Sequence, residues 1–511
     1  MEGIIMKKKR HEMTLTVGVF FDGTGNNAYN TECMLNHYAD NYAIFSTIET
    51  VTSLQARAKR AFGFTGTEAV SYTGYYTNIH WLKKHYLNNL LSEEADIQTS
   101  LYIDGVGTEA GKPDTLLALS FGISENGIVA KVKNAMVQSG EVLSAVIHYQ
   151  RKRYPGCELV LKALRFDLFG FSRGAAAARH FANMIYSADP EMTQLIKEAL
   201  QDSVFHGPSC GKVRFIGIFD TVCAVGTASN GWDPHSADTG EVNLVLGADV
   251  AESVFHLVAA QECRYNFALN SVSPAWPEVM LPGTHSDIGG GYMPVIREDF
   301  FLTRPITETV LARIPGPQTR GYSLVAKQGR LLETYPSLAP ILRTGNSEIA
   351  TWDDERMSPN RYGEPQKRCY AAVTLRDRLV RNDGAKIALR VMLAAATEAG
   401  VAFKPLNETL PEFALPSELL PFCEQATEMG KNRVVGNLLK TFSQQQMDII
   451  SRYIHCSAHW NTVCRDGNGA IQGGAFPFVL TGFINRPDRN WRRTVYGDNA
   501  QIQSDVKCQV K

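Results

Sequence analysis

The residues that most clearly indicate chemistry lie between Leu164 and Ala177, where a serine stands within the pattern G-x-S-x-G. Gly170 and Gly174 allow a sharp turn around Ser172, and the flanking residues predict a buried strand before it and a helix after it. A serine at such a turn can attack a carbonyl carbon while the first helical amides face the oxyanion. A serine between glycines is also common in ordinary turns, so this interpretation requires partners elsewhere.

Those partners are predicted by two later strand ends. A serine hydroxyl needs a base, usually a histidine that a carboxylate holds in the correct tautomer. In hydrolases with this turn, the acid and then the histidine follow the serine, each on a loop after a strand. The apolar run Val213 to Phe219 ends at Asp220, and Glu278 to Leu281 leads to a glycine-rich loop containing His285. We predict Asp220 as the acid and His285 as the base.

Other candidates for these two roles remain open. Asp233 and Asp287 are alternative acids, because both lie in the same part of the chain. Four further histidines stand within predicted helices or do not follow a predicted strand, and they are His148, His180, His235 and His256.

An oxyanion site is predicted at the first glycine-rich turn. The apolar run Leu15 to Phe21 leads into D-G-T-G-N-N, which offers closely spaced backbone amides. In this architecture one oxyanion donor is the amide after the nucleophile, here Arg173, and the other comes from the loop of an earlier strand. Gly23 and Thr24 are the candidates for the second donor.

The same turn differs from two motifs that handle phosphate groups. Phosphatases of the haloacid dehalogenase type carry a nucleophilic aspartate two residues before the D-G-T, and Phe20 occupies that position here. The turn also lacks the lysine of a nucleotide-binding P-loop. Neither chemistry is therefore predicted.

The elements that must position these residues indicate an α/β fold. Predicted strands alternate with helical patterns, as in parallel β-α-β units. The predicted strands are Leu15 to Phe21, Leu101 to Asp104, Leu164 to Phe169, Val213 to Phe219 and Glu278 to Leu281. We predict an α/β-hydrolase-like, mostly parallel sheet flanked by helices.

The chain is predicted to have three regions. Residues 14–295 form the catalytic core, and the proline-containing loops and short helical patterns of residues 296–439 predict a helical cap. Residues 440–511 are expected to form a C-terminal helix and a tail that packs on the core. Within that tail, Trp491, Arg492 and Arg493 are expected to lie at a solvated edge, with a membrane or partner surface as the alternative.

Composition excludes several classes of protein. The 511 residues carry 51 Lys and Arg against 52 Asp and Glu, and this balance gives no reason to expect nucleic acid as a partner. We expect no signal peptide, no membrane span and a soluble protein.

The ten cysteines lack a C-x-x-C pair. One local cluster of possible zinc ligands matches no standard pattern, and it consists of His455, Cys456, His459 and Cys464.

Six motifs follow one another along the predicted core. They are FFDGTGNN (Phe20 to Asn27), YIDGVGT (Tyr102 to Thr108), FGISENGIVAKV (Phe121 to Val132), GFSRGAAAAR (Gly170 to Arg179), IGIFDTV (Ile216 to Val222) and PGTHSDIGGGY (Pro282 to Tyr292). Taken in order, these motifs resemble the family 1 phospholipase effectors of bacterial type VI secretion. The resemblance covers most of residues 14–295.

The resemblance implies a Ser172, Asp220 and His285 triad that needs no metal or organic cofactor. It implies a phospholipase A that cleaves sn-1 or sn-2 esters of membrane phospholipids in the periplasm of a neighbouring bacterium, in peripheral contact with the membrane. It further implies an immunity protein and a VgrG-type spike protein as partners. From the residues alone, a soluble-substrate esterase or thioesterase and a non-catalytic interaction protein remain alternatives.

Overall fold

The computed structural model describes residues 9–37, 43–90, 95–115, 119, 122, 125–227, 229–432, 442–471 and 485–497. The first strands along the chain are β1 Arg10–Phe21, β2 Asp96–Ile103, β3 Glu158–Phe171, β4 Val204–Phe205, β5 Lys212–Phe219, β6 Ser253–Ala259, β7 Leu269–Asn270 and β8 Glu278–Leu281. A central parallel sheet runs in the order β2-β1-β3-β5-β6-β8, and β4 pairs with the start of β3.

Helices cover both faces of this sheet, so its central strands are mostly apolar. The helices are α1 Ala28–Leu35, α2 Val51–Phe62, α3 Asn78–His85, α4 Ile128–Arg153, α5 Arg173–Tyr186, α6 Pro190–Ala199, α7 His285–Gly289, α8 Arg320–Leu332, α9 Ala339–Thr344, α10 Asp383–Glu398, α11 Leu420–Lys431 and α12 Gln444–Ile450. Helices α4, α5 and α6 pack on one face, and α3, α10 and α11 pack on the other. The predicted α/β class is confirmed.

Short 3-10 helices complete the described helical segments. They are Ala43–Phe45, Gly66–Tyr72, Gly316–Gln318, Ser417–Leu419, Ser451–Tyr453 and Arg489–Trp491. Within the described ranges, no helix combines the length and the apolar character that crossing a membrane requires.

The region after residue 295 differs from the helical cap that we predict over 296–439. It contains the strands β9 Val295–Phe301, β10 Ile306–Leu311, β11 Asn346–Asp354, β12 Gln366–Arg381 and β13 Asn461–Thr462. They form an antiparallel sheet in the order β10-β12-β9-β13, with β11 also paired to β12. Charged residues interrupt the apolar pattern within these strands, and prolines stand in the segments between them, at Pro305, Pro315, Pro336 and Pro359. This combination favours loops in a prediction from the sequence.

Two helices of the same region belong to the core and not to a lid. The apolar faces of α10 and α11 join a cluster with Phe169, Phe215 and Leu257 from the central strands. Without them, the second face of the sheet would expose these aromatic and aliphatic side chains to water.

The predicted C-terminal region, residues 440–511, is described at 442–471 and 485–497, and its remaining residues lie outside the described part. Strand β14, Val495–Tyr496, pairs in parallel with β7. The segment 485–497 therefore contacts the loop that connects β6 and β8.

Candidate active site

Ser172 stands at the turn between β3 and α5 in a strained conformation, with φ 58° and ψ −126°. Two glycines make the turn possible through close backbone approach. A Cβ on Gly170 would lie 2.5 Å from the Gly174 carbonyl oxygen, and one on Gly174 would lie 2.3 Å from the Asp22 carbonyl oxygen. The Ser172 amide donates to the Phe219 carbonyl oxygen at 3.1 Å, which ties the turn to the end of β5.

Asp220 and His285, two of the predicted residues, form a buried pair. His285 Nδ1 lies 2.5 Å from Asp220 Oδ2, and both side chains are almost completely inaccessible to water. Asp220 Oδ1 also accepts from the Ala259 amide at 2.9 Å, and the Arg493 guanidinium donates to both carboxylate oxygens. Burial raises the pKa of Asp220, but Arg493 and His285 outweigh this effect and hold that pKa well below its usual range.

The imidazole of His285 is enclosed by two aromatic rings. The ring centroid of Phe171 lies 4.5 Å from it, and that of Phe267 lies 4.9 Å away. Burial lowers the pKa of His285 below its usual value, and the hydrogen bond and negative charge of Asp220 only partly compensate. Because a carboxylate can only accept, Nδ1 carries the proton, and Nε2 is left as the basic nitrogen.

A cavity of about 300 Å³ brings the serine and the histidine to one site. Its walls are mostly apolar, which suits the hydrocarbon part of a ligand. The residues that line it include Thr24, Val70, Leu119, Ser172, Phe267 and His285. The structure therefore brings Ser172 and His285 to the same cavity, with Asp220 behind the imidazole.

The predicted oxyanion loop lies on this cavity, and its two candidate amides differ. The Gly23 amide donates to Asp22 Oδ1 at 2.7 Å and is therefore engaged. The Thr24 amide has no acceptor among the described residues, and Thr24 lines the cavity. Arg173 begins α5, where first-turn amides lack an acceptor within the helix, and its Nε donates to Thr24 Oγ1 at 2.7 Å. The geometry favours Thr24 over Gly23.

The alternative acids have partners other than the His285 ring. Asp287 is buried, but its Oδ1 lies 2.6 Å from Nδ1 of His455. Asp233 is exposed, and its Oδ1 accepts from the His235 amide.

The other candidate histidines have structural roles or lie on the surface. His256 Nε2 accepts from the Thr221 amide at 3.0 Å, and its Nδ1 lies 2.9 Å from Glu278 Oε2. His180 Nδ1 accepts from the Asn243 amide. His148 is exposed on α4.

Two charged residues next to His285 were missed by the sequence analysis. Glu262 is buried and accepts from the His285 amide at 3.2 Å, and Arg264 holds its carboxylate through two hydrogen bonds of 3.0 and 2.9 Å. Burial raises the pKa of Glu262, but Arg264 and other cations lower it to about 2. Both residues follow β6, a fully buried strand whose apolar run, Ser253–Ala259, is the signal that could have identified them.

The C-terminal tail also differs from the expected solvated edge. Trp491 is buried, and only Arg492 of the three residues is exposed. The side chain of Arg493 is 7% exposed and lies against Asp220. No local pattern in the sequence indicates this contact, since the two residues are 273 positions apart.

Three of the four residues of the possible zinc cluster have separate partners. His455 pairs with Asp287, His459 stacks on Phe300, and the Cys456 thiol donates to the Ala458 carbonyl. In the part of the chain that the structure describes, no three His, Cys, Asp or Glu side chains form a group suited to a metal ion.

Comparison with known proteins places this chain in a family. The model of the Tle1-like phospholipase effector catalytic domain of type VI secretion matches residues 187–312. The solved structure of the Tle1 effector bound to the VgrG spike of the Type 6 secretion system is similar at 35% identity, with a TM-score of 0.74. The match covers 96% of this chain and 95% of that chain.

A structure of an uncharacterized protein from Pseudomonas aeruginosa is more distant, at 17% identity and a TM-score of 0.38, covering 84% of this chain and 52% of that one. No curated protein sequence matches the chain. Identity of 35% over nearly the whole length, with the same fold, establishes the relationship. The chain belongs to the Tle1-like family of type VI secretion phospholipase effectors.

Proposed function

We propose that this chain is a serine phospholipase of the A type, with Ser172 as nucleophile, His285 as base and Asp220 as acid. The observation that supports it most is the 2.5 Å contact between His285 Nδ1 and Asp220 Oδ2 behind a cavity that Ser172 and His285 both line. This arrangement suits acyl transfer, since the basic imidazole nitrogen and the serine face one apolar space.

In the proposed reaction, His285 Nε2 takes the proton of Ser172 as the serine oxygen attacks the ester carbonyl carbon. Asp220 stabilises the imidazolium, and the amides of Arg173 and Thr24 donate to the oxyanion. Collapse of this intermediate releases a lysophospholipid, whose oxygen takes the proton from His285. Water then attacks the acyl-enzyme with the help of His285, and a fatty acid leaves.

The apolar walls of the cavity favour a lipid over a small polar ester. A volume of about 300 Å³ is at the lower end of the range for ligand sites, and so it suits part of one acyl chain while the rest of the lipid stays in the bilayer. We therefore propose peripheral contact with a membrane that holds the substrate. Cleavage at sn-1 and at sn-2 are both compatible with this cavity.

The biological setting is proposed from the family. The solved Tle1 effector is bound to the VgrG spike, and we propose that this chain also binds a VgrG-type spike for delivery. We propose an antibacterial role in the periplasm of target bacteria, together with an immunity protein that protects the producer. Growth of a bacterial host should fall when the chain is directed to its periplasm, and Ser172→Ala should abolish this effect.

The enzymatic proposal is tested by fatty-acid release from phospholipid vesicles labelled in either the sn-1 or the sn-2 chain. The wild-type chain and Ser347→Ala, which changes an exposed serine on β11, should both release label, and Ser172→Ala should release none. The labelled product identifies the bond that is cut. Equal release by Ser172→Ala would exclude Ser172 as nucleophile.

The same assay distinguishes the alternatives. Serine-dependent cleavage of a short soluble ester or thioester without release from vesicles would favour an esterase or thioesterase. A folded chain that cleaves none of these substrates would favour a binding protein on a hydrolase scaffold.

A further inference from the structure

Arg493 makes the most extensive side-chain contact with the proposed triad acid. Its Nη1 donates to Asp220 Oδ1 at 2.7 Å, and its Nη2 donates to Oδ2 at 2.8 Å. Such a bidentate pair fixes the plane of the carboxylate as well as its position. Oδ2 is also the oxygen that faces His285 Nδ1, so the arginine and the imidazole share one acceptor.

The arginine itself is held in place by the backbone around it. Arg493 Nε donates to the Phe267 carbonyl at 2.7 Å. On its C-terminal side, the Leu269 amide donates to the Thr494 carbonyl and the Ser271 amide to the Tyr496 carbonyl, both at 2.9 Å. The guanidinium is therefore positioned by the loop that also presents the Phe267 ring to His285.

The charges around His285 come in two matched pairs. Asp220 lies at the end of β5 and is paired with Arg493 of the C-terminal segment, and Glu262 lies after β6 and is paired with Arg264. Each carboxylate is thus compensated by its own arginine. Without Arg493, one buried negative charge would remain uncompensated beside the imidazole and would stabilise its protonated form.

We propose that Arg493 is a positioning residue of this active site: it fixes the orientation of Asp220 and compensates its charge, so that His285 remains an unprotonated base near neutral pH. This inference rests on the proposed function of Ser172, Asp220 and His285. Because Arg493 belongs to the segment 485–497, the site is complete only when that segment has docked.

The test compares Arg493→Met and Arg493→Lys with Arg492→Met, which removes the same charge from the exposed neighbour. The readout is the pH dependence of Ser172 labelling by a fluorophosphonate, in which the serine oxygen bonds to phosphorus, fluoride leaves and His285 takes the proton. This reaction reports on the serine and its base without requiring a lipid. Ser172→Ala supplies the background, and circular dichroism checks that each variant is folded.

The labelling rate should fall at low pH, where His285 is protonated (the acid limb), and reach a constant maximum at higher pH (the plateau). We expect Arg493→Met to shift the acid limb about one pH unit to higher pH and to lower the plateau about tenfold. Arg493→Lys keeps the charge but not the bidentate geometry, and so it should retain the acid limb and lose several-fold in the plateau. Arg492→Met should match the wild type.

An acid limb and plateau at wild-type values in Arg493→Met would overturn the inference and leave the proposed function intact. If Arg493→Met does not fold, Arg493→Lys decides, and a wild-type plateau in that variant would overturn the positioning role. Labelling of the wild type no faster than of Ser172→Ala would overturn the proposed nucleophile, and this inference with it.

Discussion

Arg173 and Thr24 are joined side chain to side chain, with Arg173 Nε donating to Thr24 Oγ1 at 2.7 Å. The two residues also supply the two amides that we propose as oxyanion donors. The hydrogen bond therefore links the turn after Ser172 to the loop after β1, and so it joins the two segments that carry the proposed donors.

Replacing the Thr24 hydroxyl should weaken oxyanion binding. Thr24→Val has nearly the same shape but leaves the buried Arg173 Nε–H without this acceptor, so the loop loses a charge-assisted hydrogen bond. We expect kcat for ester hydrolysis to fall about tenfold or more, with KM changed little. Thr24→Ser keeps the hydroxyl and should remain close to the wild type. Wild-type kcat in Thr24→Val would show that this link does not support catalysis.

Removing the charge of the proposed acid should reduce turnover far more strongly. In Asp220→Asn the amide nitrogen can donate to His285 Nδ1, which favours the tautomer in which Nε2 carries the proton and cannot act as a base. We expect kcat to fall about 10⁴-fold with the fold preserved. Asp233→Asn, at the exposed alternative acid, is the matched control and should retain activity. Retained activity in Asp220→Asn together with lost activity in Asp233→Asn would assign the acid role to Asp233.

The contact between α5 and β1 should tolerate no additional atom. In Gly174→Ala, the new Cβ would lie 2.3 Å from the Asp22 carbonyl oxygen, so the start of α5 must move away and displace Ser172. We expect a loss of about 3 kcal/mol in the free energy of unfolding, measured in urea, and loss of hydrolysis. Gly467→Ala adds the same methyl group where nothing lies within 4 Å and should change neither property. Equal stability of the two variants would contradict this account.

The buried carboxyl of Asp22 should make stability depend on pH. Burial raises the pKa of Asp22 from 3.8 to about 6, although the Tyr102 and Thr77 hydroxyls and the Gly23 amide donate to it. Between pH 3.8 and about pH 6, Asp22 holds a proton in the folded chain that it has released in the unfolded chain. This contribution to stability is therefore fully present below the lower value and is lost as pH rises through about 6.

Urea unfolding of the wild type and Asp22→Asn, from about pH 4 to about pH 7, measures this contribution. The stability of the wild type relative to the variant should decrease by about 3 kcal/mol as pH rises over that range, because a shift of about two pKa units corresponds to that energy. A difference that does not change with pH would contradict the raised pKa.

The part of the site that could be predicted from the sequence depends on local patterns. Ser172 is surrounded by its own strand, glycines and helix, so a short stretch specifies the turn. Asp220 and His285 each follow an apolar strand, and residues at the carboxyl ends of parallel strands meet at one edge of the sheet. The catalytic roles of Ser172, Asp220 and His285 stay predictions.

Strand β6 and helices α10 and α11 were harder to predict for a physical reason. The run Ser253–Ala259 is buried on both faces and lacks the alternation that marks a half-exposed strand. The two helices have amphipathic patterns, but a pattern does not say which surface its apolar face will cover. Here that surface is the second face of the central sheet, and not a cap over the active site.

The sequence by itself determined the strand-turn-helix around Ser172 and the order of the acid and the histidine, because short-range sterics and hydrophobic periodicity encode both. Only the tertiary structure decided that Asp220, rather than Asp287, pairs with His285, and that Arg493 compensates its charge. Asp220 and Arg493 are 273 residues apart, and the electrostatic attraction between them depends on distance in space, which emerges only after the C-terminal segment packs beside β7.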